Sequence, residues 1–333
     1  MKIESPYLMF LGDAQDELAA KTASGIVHWR RDRCFGQIKL PGCNADLSLP
    51  DASIMEAVDR GCKTLVIGVA NRGGVVPDSW IPTLLHALES GLDIAAGLHQ
   101  KLDDIEDLSR AAQINGRQLF DVRHPTQTFN VGSGKGRSGK RLLTVGTDCS
   151  VGKMYTALAL EQAMISENMK CDFRASGQTG IFIANSGVCI DAVVSDFISG
   201  ATEWLSPKND DDHWDLIEGQ GSLSHPSYAG VTMGLVHGAQ PHALVMCHEP
   251  TRTHMRGLPH QKMPDLLSCI ELHTNAARLT KPECECIGLA VNTSNIENED
   301  KRIECLQNIS NLTGLPAVDP VKDGVFELIK NFI

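Results

Sequence analysis

Two glycines and a lysine close an apolar run in the way that is typical of a phosphate-binding loop, or P-loop. The segment LLTVGTDCSVGKM, residues 142–154, predicts a buried strand, a tight loop and the start of a helix. Such a loop points successive backbone N–H groups inward, and the helix start adds roughly half a positive charge. We therefore predict a polyphosphate bound by the loop residues Gly146, Thr147, Asp148, Cys149, Ser150, Val151, Gly152, Lys153 and Met154.

The loop departs from the common motif in two places. Five residues separate Gly146 from Gly152 instead of four, and Met154 stands where a Ser or Thr hydroxyl normally holds Mg²⁺. Because magnesium prefers hard oxygen ligands, the sequence favours a ligand that is held by its phosphates and reacts elsewhere, such as a coenzyme A thioester, with no essential metal. Two alternatives stay open, namely a hydroxyl from Thr147 or Thr156 on a metal ion, or a glycine-rich turn with a solvated lysine.

A carboxylate and an imidazole in WDLIEGQGSLSHP are the candidate catalytic residues. The apolar run before Glu218 predicts that this carboxylate lies at the tip of a strand, where it can accept a proton or orient a substrate. His225 is a second candidate base because its ordinary pKa lies near neutrality. The alternatives are a Glu218 that only ties down the P-loop and a His225 that is structural.

Cations and amides in other strand-end segments are candidates for binding an acidic substrate. Arg252 lies in ALVMCHEPTRTHMRG, Arg174 and Gln178 lie in and beside ASGQTG, and Arg72 lies in an NRGG turn. Arginine matches carboxylates bidentately, so a dicarboxylate substrate is plausible, although a solvated basic loop and an ordinary glycine turn remain alternatives. Asn292, at the end of GLAVN, is placed to contact a base or ribose.

Strand-like and helix-like stretches alternate along the whole chain, which predicts an α/β protein with mostly parallel sheets. We expect a Rossmann-like domain over residues 1–123, a basic glycine-rich linker over 124–140, and a P-loop NTPase-like domain over 141–333. No GxGxxG follows the first strand, so a dinucleotide is not favoured. The linker predicts either a solvated segment or a basic rim for phosphates, and Asp191 looks like the N-cap of a helix in DAVVSDFISGATEWL.

Composition limits the class of protein and its partners. The 333 residues suit two domains, and the formal charge of −11 disfavours nucleic acid and anionic membranes as partners. No apolar run approaches the roughly 18 residues that a membrane helix requires. The eleven cysteines are scattered and odd in number, so we expect reduced thiols, and the first residues look like a strand, which together predict a cytoplasmic protein.

Several segments together resemble a known family. GTDCSVGK, GQTG, DAVVSDFISGATEWL and EGQGSLSHPSYAGVTMGLVHGAQP are similar to the P-loop family, formerly of unknown function, that contains the D-glutamate N-acetyltransferases. The resemblance spans nearly the whole chain. The C-terminal domain also resembles dethiobiotin synthetase, whose P-loop has the same extended spacing and whose EGAGG resembles EGQGS here.

The first resemblance implies transfer of acetyl from acetyl-CoA to the amine of D-glutamate, in D-amino-acid catabolism. It implies that Lys153 anchors the donor phosphates, that arginines bind the acceptor, and that Glu218 or His225 removes the amine proton. Backbone N–H groups near Gly177 or Gly219 are then candidates for the oxyanion. The second resemblance implies an alternative, an ATP-dependent ligase or kinase acting on a small acid, and a nucleotide sensor is a third; a homo-oligomer is expected by default.

Overall fold

The fold was analysed in a computed structural model, which describes residues 3–71 and 73–332. The chain divides into two compact units. The first contains the residues up to Thr126 together with Gly177–Ala192, and the second contains Gln127–Ser176 together with the residues from Val193 onward. A short segment from the middle of the chain is therefore part of the first unit, which a division into contiguous ranges does not capture.

Strands and helices alternate as the apolar runs suggested. The strands are β1 Tyr7–Phe10, β2 Cys34–Ile38, β3 Thr64–Ile67, β4 Asp93–Ala96, β5 Leu119–Asp121, β6 Lys140–Gly146, β7 Cys171–Arg174, β8 Trp214–Ile217, β9 Ala243–His248, β10 His254–Met255, β11 Leu258–Lys262, β12 Glu285–Val291 and β13 Ala317–Val318. The helices are α1 Lys21–Arg30, α2 Ile54–Asp59, α3 Ile81–Glu89, α4 Glu106–Asn115, α5 Lys153–Ser166, α6 Gln178–Ala184, α7 Ile198–Leu205, α8 Ala229–Ala239, α9 Leu266–Arg278, α10 Glu299–Thr313 and α11 Phe326–Ile329.

The first unit contains a five-stranded parallel sheet in the order β2-β1-β3-β4-β5. Its central strands β1 and β3 are buried along their whole length, as expected for strands that helices cover on both faces. Strand β2 was not predicted, because Gly36 and Gln37 interrupt its apolar pattern. The Gln37 side chain is nevertheless satisfied, since it accepts from the Leu47 N–H at 2.8 Å and donates to Asp51 at 3.0 Å.

The second unit contains a six-stranded parallel sheet in the order β13-β12-β9-β6-β8-β7. Because all six strands run in the same direction, their carboxyl ends share one edge, and ligands of open parallel sheets bind at that edge. The segments at the ends of β6, β8, β9 and β12 contact one another there. A small antiparallel hairpin, β10 with β11, follows β9. The α/β fold with two parallel sheets is confirmed.

One local prediction was wrong. Asp191 does not cap the helix of DAVVSDFISGATEWL, because it lies inside a 3₁₀ turn, a second 3₁₀ turn follows, and α7 begins only at Ile198. Its carboxylate instead accepts from Arg123 at 2.6 Å.

The basic segment that leads into β6 is exposed at Lys135 and Lys140. Arg137 and Arg141 lie near the amino end of the strand and donate to backbone carbonyls, including those of Ser206 and Gln240, so these two arginines do not form a rim at the carboxyl edge of the sheet.

The remaining structural expectations concern thiols and membranes. All eleven cysteines are free, and five of them are buried. None of the helices within residues 3–71 and 73–332 is both long enough and apolar enough to cross a bilayer.

Candidate functional site

The P-loop forms an anion-binding nest between β6 and α5. Its backbone has positive φ at Ser150, 53°, and at Gly152, 105°, which turns successive N–H groups toward one side. Within the described residues, no protein acceptor receives the backbone N–H groups of Ser150, Val151, Gly152 and Lys153. Four donors at a helix start are therefore left without a protein acceptor among those residues, and donors at a helix start are suited to binding phosphate.

Lys153 adds a cation to this nest. Its side chain is buried, and its Nζ donates to the Asp148 carbonyl at 2.8 Å. Burial lowers the pKa of this ammonium, and the nearby Glu218 carboxylate is one of the groups that act in the opposite direction. An incoming phosphate restores the missing countercharge, so the free loop is prepared for an anion.

Asp148 does not face a ligand but holds the loop in shape. Its side chain is fully buried; Oδ1 accepts from the Cys149 N–H at 2.6 Å, and Oδ2 accepts from Arg252 at 2.6 Å and from the Arg256 N–H at 2.8 Å. The P-loop is thus fastened to the segment between β9 and β11. An unpaired buried carboxylate is costly, so this ion pair keeps loop and segment together.

Arg252 makes further contacts that hold the P-loop to the segment after β9. Besides Asp148 it donates to the carbonyls of Cys149 at 2.7 Å and Ser150 at 3.2 Å, and it lies 3.4 Å from Glu249. These contacts occupy much of the guanidinium and direct the loop carbonyls away from the nest. The structure therefore places Arg252 behind the phosphate site, where it holds the loop, rather than open to a substrate carboxylate.

Glu218 lies at the tip of β8, beside the P-loop strand. The side chain is 5% exposed, and its Oε2 accepts from the Ser176 N–H at 3.0 Å. The following Gly219 packs so tightly that a Cβ there would lie 1.7 Å from the Thr144 carbonyl oxygen, so the chain continues past β6 only with glycine. The Gly219 N–H donates to the Thr144 hydroxyl at 3.0 Å, which removes it as an oxyanion donor.

His225 is fully buried, and both of its ring nitrogens have partners. Nδ1 accepts from the Ser227 N–H at 3.1 Å, whereas Nε2 lies 3.4 Å from the Arg256 carbonyl and 3.8 Å from Asp148. The only lone pair of the neutral ring is therefore engaged, which disfavours His225 as a base. The potential ligand atoms of Asp148, Cys149 and His225 lie within 4.8 Å of one another, but the Arg252 guanidinium already pairs with this carboxylate and opposes a metal cation.

The other side of the loop is tied to β9 and β12. The Thr147 hydroxyl lies 3.1 Å from His248 Nδ1, and the His248 carbonyl accepts from the Asn292 N–H at 2.8 Å. Burial lowers the pKa of His248. The Thr156 hydroxyl donates to the Gly152 carbonyl at 3.0 Å. Neither threonine hydroxyl is placed to replace the one that Met154 lacks.

Arg174 does not join this group, and Gln178 belongs to the other unit. Arg174 turns back from the strand end to pair with Asp215 at 2.7 Å and Asp172 at 3.1 Å, and Asp215 is in register with Arg141 near the amino end of β6. Gln178 belongs to the first unit, where its carboxamide accepts from Arg123 at 3.3 Å. Arg72 lies outside the described residues.

One cation at this edge was not singled out from the sequence. The half-buried Arg256 donates its backbone N–H to Asp148, yet among residues 3–71 and 73–332 its guanidinium has no ion-pair partner. Burial raises the pKa of the neighbouring Cys149 thiol, and Arg256 is one of the charges that act in the opposite direction. The pattern Arg-x-x-x-Arg after β9 could have indicated Arg256 as a candidate. The spacing alone, however, does not show which of the two guanidinium groups pairs with P-loop atoms.

Comparison with known proteins identifies the relatives. Residues 129–329 match a family described as the DUF1611_C P-loop domain of unknown function, and residues 38–125 match the DUF1611_N Rossmann-like domain. The chain is 50% identical over 331 residues to a D-glutamate N-acetyltransferase of Pseudoalteromonas sp., with 99% of both chains covered. It is 53% identical over 327 residues to a D-glutamate N-acetyltransferase of Tritonibacter scottomollicae, with 98% of both covered. The crystal structure of a DUF1611 family protein from Anabaena variabilis is similar with a TM-score of 0.86, 31% identity and 99% coverage of both chains.

Proposed function

Because this chain belongs to the DUF1611 family, we propose that it is an N-acetyltransferase that moves acetyl from acetyl-CoA to the amine of D-glutamate. Two relatives at 50% and 53% identity over almost their whole length carry that name. One structural observation supports the donor class. The P-loop offers four free N–H groups and a buried lysine but has Met154 at the position of the magnesium hydroxyl.

The donor is held by its diphosphate at Ser150–Lys153. Hydrogen bonds to charged groups contribute about 1.5–3 kcal/mol each, so the ammonium of Lys153 and the open amides supply a large part of the donor affinity. The Arg252–Asp148 pair keeps those amides oriented before the donor arrives. Binding energy gained away from the thioester is then available for positioning it.

Glu218 is the base in this proposal. The acceptor arrives as an ammonium, which has to lose a proton before its nitrogen can attack. Glu218 accepts that proton, the nitrogen bonds to the thioester carbonyl carbon, the C–S bond breaks, and the departing thiolate receives the proton from Glu218. Glu218 then takes the second proton from the nitrogen, which leaves the neutral amide, and releases it to solvent. Glu218 is preferred to His225 because the ring nitrogen of His225 that could accept a proton already accepts from Ser227.

Arg256 is the cation that we assign to an acceptor carboxylate. It lies on the same segment as Arg252 and close to the P-loop, but the loop does not consume its guanidinium. Arginine binds carboxylates through two parallel hydrogen bonds, which fixes the orientation of the acceptor as well as its charge.

We place the reaction in the cytoplasm, with a homo-oligomer as the working unit. Eleven free cysteines and no disulfide among the described residues are consistent with a reducing compartment. Val194 is 67% exposed and Trp204 is 53% exposed, which supports burial of this part of the second unit against another copy.

The proposal is tested by incubating the protein with acetyl-CoA and a panel of amino acids, and by measuring acetylated products by mass spectrometry. We expect N-acetylglutamate from the D enantiomer at a higher kcat/KM than from L-glutamate or aspartate. ATP with a small acid, in place of acetyl-CoA, serves as the arm for the ligase alternative. Phosphate release in that arm without acetyl transfer in the first would contradict the proposal.

A further inference from the structure

A groove opens at the same sheet edge, on the side of the P-loop that faces β9 and β12. Its volume is about 450 Å³, and it is lined by His248, Pro250 and Leu266 on one wall and by α10 on the other. This volume lies in the range of about 300–1,000 Å³ that is usual for small-molecule pockets. Nothing in the acetyl-transfer step described above uses this groove.

The groove begins at the P-loop. His248, which lines it, is the residue whose ring lies 3.1 Å from the Thr147 hydroxyl of the loop. Helix α10 follows β12, so its first turn lies at the carboxyl edge of the sheet and its last turn lies at the far edge. Along that helix the groove is lined by Lys301, Glu304, Cys305, Asn308, Ile309 and Leu312. A ligand that leaves the nest on this side meets the ammonium of Lys301 and the carboxylate of Glu304 in the first turns of the helix, and then a mostly apolar wall.

The order of strands in the sheet indicates on which side of the P-loop each end of the acyl-CoA lies. In the order β13-β12-β9-β6-β8-β7, the nest after β6 separates Glu218, which follows β8, from the groove, which lies beside β9 and β12. The diphosphate of an acyl-CoA likewise separates the thioester arm from the adenosine 3′-phosphate. If the thioester is to reach Glu218, the adenosine has to leave the nest on the opposite side.

We infer that the groove between His248 and α10 is the subsite for the adenosine 3′-phosphate of the acyl donor. The adenine ring packs against the apolar wall of Leu266, Cys305 and Ile309, and Lys301 at the mouth pairs with the 3′-phosphate. This inference rests on the proposed function, because it takes acetyl-CoA as the donor. It adds an orientation, with the adenosine beside β9 and β12 and the thioester beside β8.

A pair of asparagines on α10 provides a matched test. Asn308 lines the groove and Asn311 does not, and both are exposed positions of the same helix. In Asn308→Trp the indole fills the groove, so the KM for acetyl-CoA should rise about tenfold, which corresponds to about 1.4 kcal/mol of binding free energy. Asn311→Trp should leave it unchanged, and melting temperatures of both variants verify that the fold is intact.

Truncated donors locate the effect. Acetyl-4′-phosphopantetheine lacks the adenosine, so its KM should be equal in the wild type and in Asn308→Trp. A matching rise with this donor would show that the groove holds the pantetheine arm instead and would overturn the inference. Lys301→Ala should raise the KM for acetyl-CoA but not that for acetyl-3′-dephospho-CoA, and this second variant needs no bulky side chain to fold.

The two levels of the proposal fail differently. A wild-type protein that transfers acetyl from none of these donors overturns the acetyltransferase function and the subsite together. A wild-type protein that is active, with the KM for acetyl-CoA unchanged in both Asn308→Trp and Lys301→Ala, overturns the subsite alone.

Discussion

The two parallel sheets each place a glycine at or near the end of a buried strand, but different side chains lie in the space that the glycine leaves. In the first unit a Cβ on Gly12, near the end of β1, would lie 2.6 Å from the Trp80 ring. In the second unit a Cβ on Gly146, at the end of β6, would lie 3.1 Å from the Lys153 Nζ. The first space holds a fully buried indole, whose N–H donates to Asp13 at 2.9 Å.

Sheet topology therefore determines where a ligand could bind, whereas the side chain that occupies the space beside the glycine determines whether a ligand can bind there. The Trp80 ring fills the space beside Gly12 near the end of β1, so an anion cannot occupy that space. At the end of β6, Lys153 adds a positive charge while the four backbone N–H groups of Ser150–Lys153 have no acceptor in the described part of the chain. We therefore assign the donor phosphates to the second sheet and a structural role to the equivalent position of the first.

Removing Glu218, the proposed general base at the edge of the second sheet, should have the largest effect. Glu218→Gln keeps a side chain that can accept from the Ser176 N–H but cannot take up the amine proton. We expect kcat to fall about 10²- to 10⁴-fold, the usual range for loss of a general base, with the KM for acetyl-CoA nearly unchanged. Steady-state kinetics with both substrates varied measures this, and a wild-type kcat in the variant would exclude Glu218 as the base.

Removing the Lys153 side chain should have the second largest effect. Lys153→Ala deletes a charged contact to the donor phosphates, which is worth about 1.5–3 kcal/mol and so about 10- to 150-fold in donor affinity. Calorimetric titration of CoA into the variant measures the loss. The matched change in the first sheet, Trp80→Phe, should leave the CoA affinity unchanged while lowering the melting temperature. If Lys153→Ala bound CoA as tightly as the wild type, the proposed difference between the two sheets would be wrong.

Adding one methyl group to each glycine sharpens the same contrast. Gly12→Ala meets the Trp80 ring at a residue with φ of 51°, so we expect a loss of about 1–3 kcal/mol in the free energy of unfolding and no change in the KM for acetyl-CoA. Gly146→Ala crowds Val151 and Lys153, so that KM should rise. Chemical denaturation and donor kinetics on both variants test this, and a rise in KM for Gly12→Ala alone would reverse the assignment.

The smallest effect concerns pH. Burial lowers the pKa of Lys153 from its ordinary value of 10.5, so the free enzyme loses this charge at a lower pH than an exposed lysine does. Bound phosphates favour the charged form, and donor binding above the pKa of the free enzyme therefore requires proton uptake. CoA affinity should be constant well below that pKa and should fall as the pH rises through it. Calorimetry over a series of pH values measures the fall, which should be absent in Lys153→Ala.

The features that were predictable from the sequence are those that adjoin one another along the chain. The P-loop could be read because strand, glycines, lysine and helix follow in order within residues 142–154, and Glu218 because an apolar run delivers it to a strand tip. The role of Arg174 could not be read, because its guanidinium turns back toward Asp215, 41 residues away. The start of α7 was missed because helical periodicity does not distinguish 3₁₀ turns from a first helical turn.

Distant partners account for the rest. Asp148 was predicted as part of the ligand-binding loop, but its role as the fastener depends on Arg252 and Arg256, which lie 104 and 108 residues further along the chain. The groove likewise combines β9, α9 and α10, and no spacing in the sequence links those three. Such sites depend on strand order, which a single sequence does not specify.

A crystal structure of the protein with CoA bound, grown without added divalent metal, would show whether the P-loop binds the diphosphate of the donor. We expect the diphosphate within hydrogen-bond distance of the backbone N–H groups of Ser150–Lys153 and of Lys153 Nζ, with the thiol arm on the side of β8. A coenzyme bound at a different place, with this nest empty, would contradict this expectation.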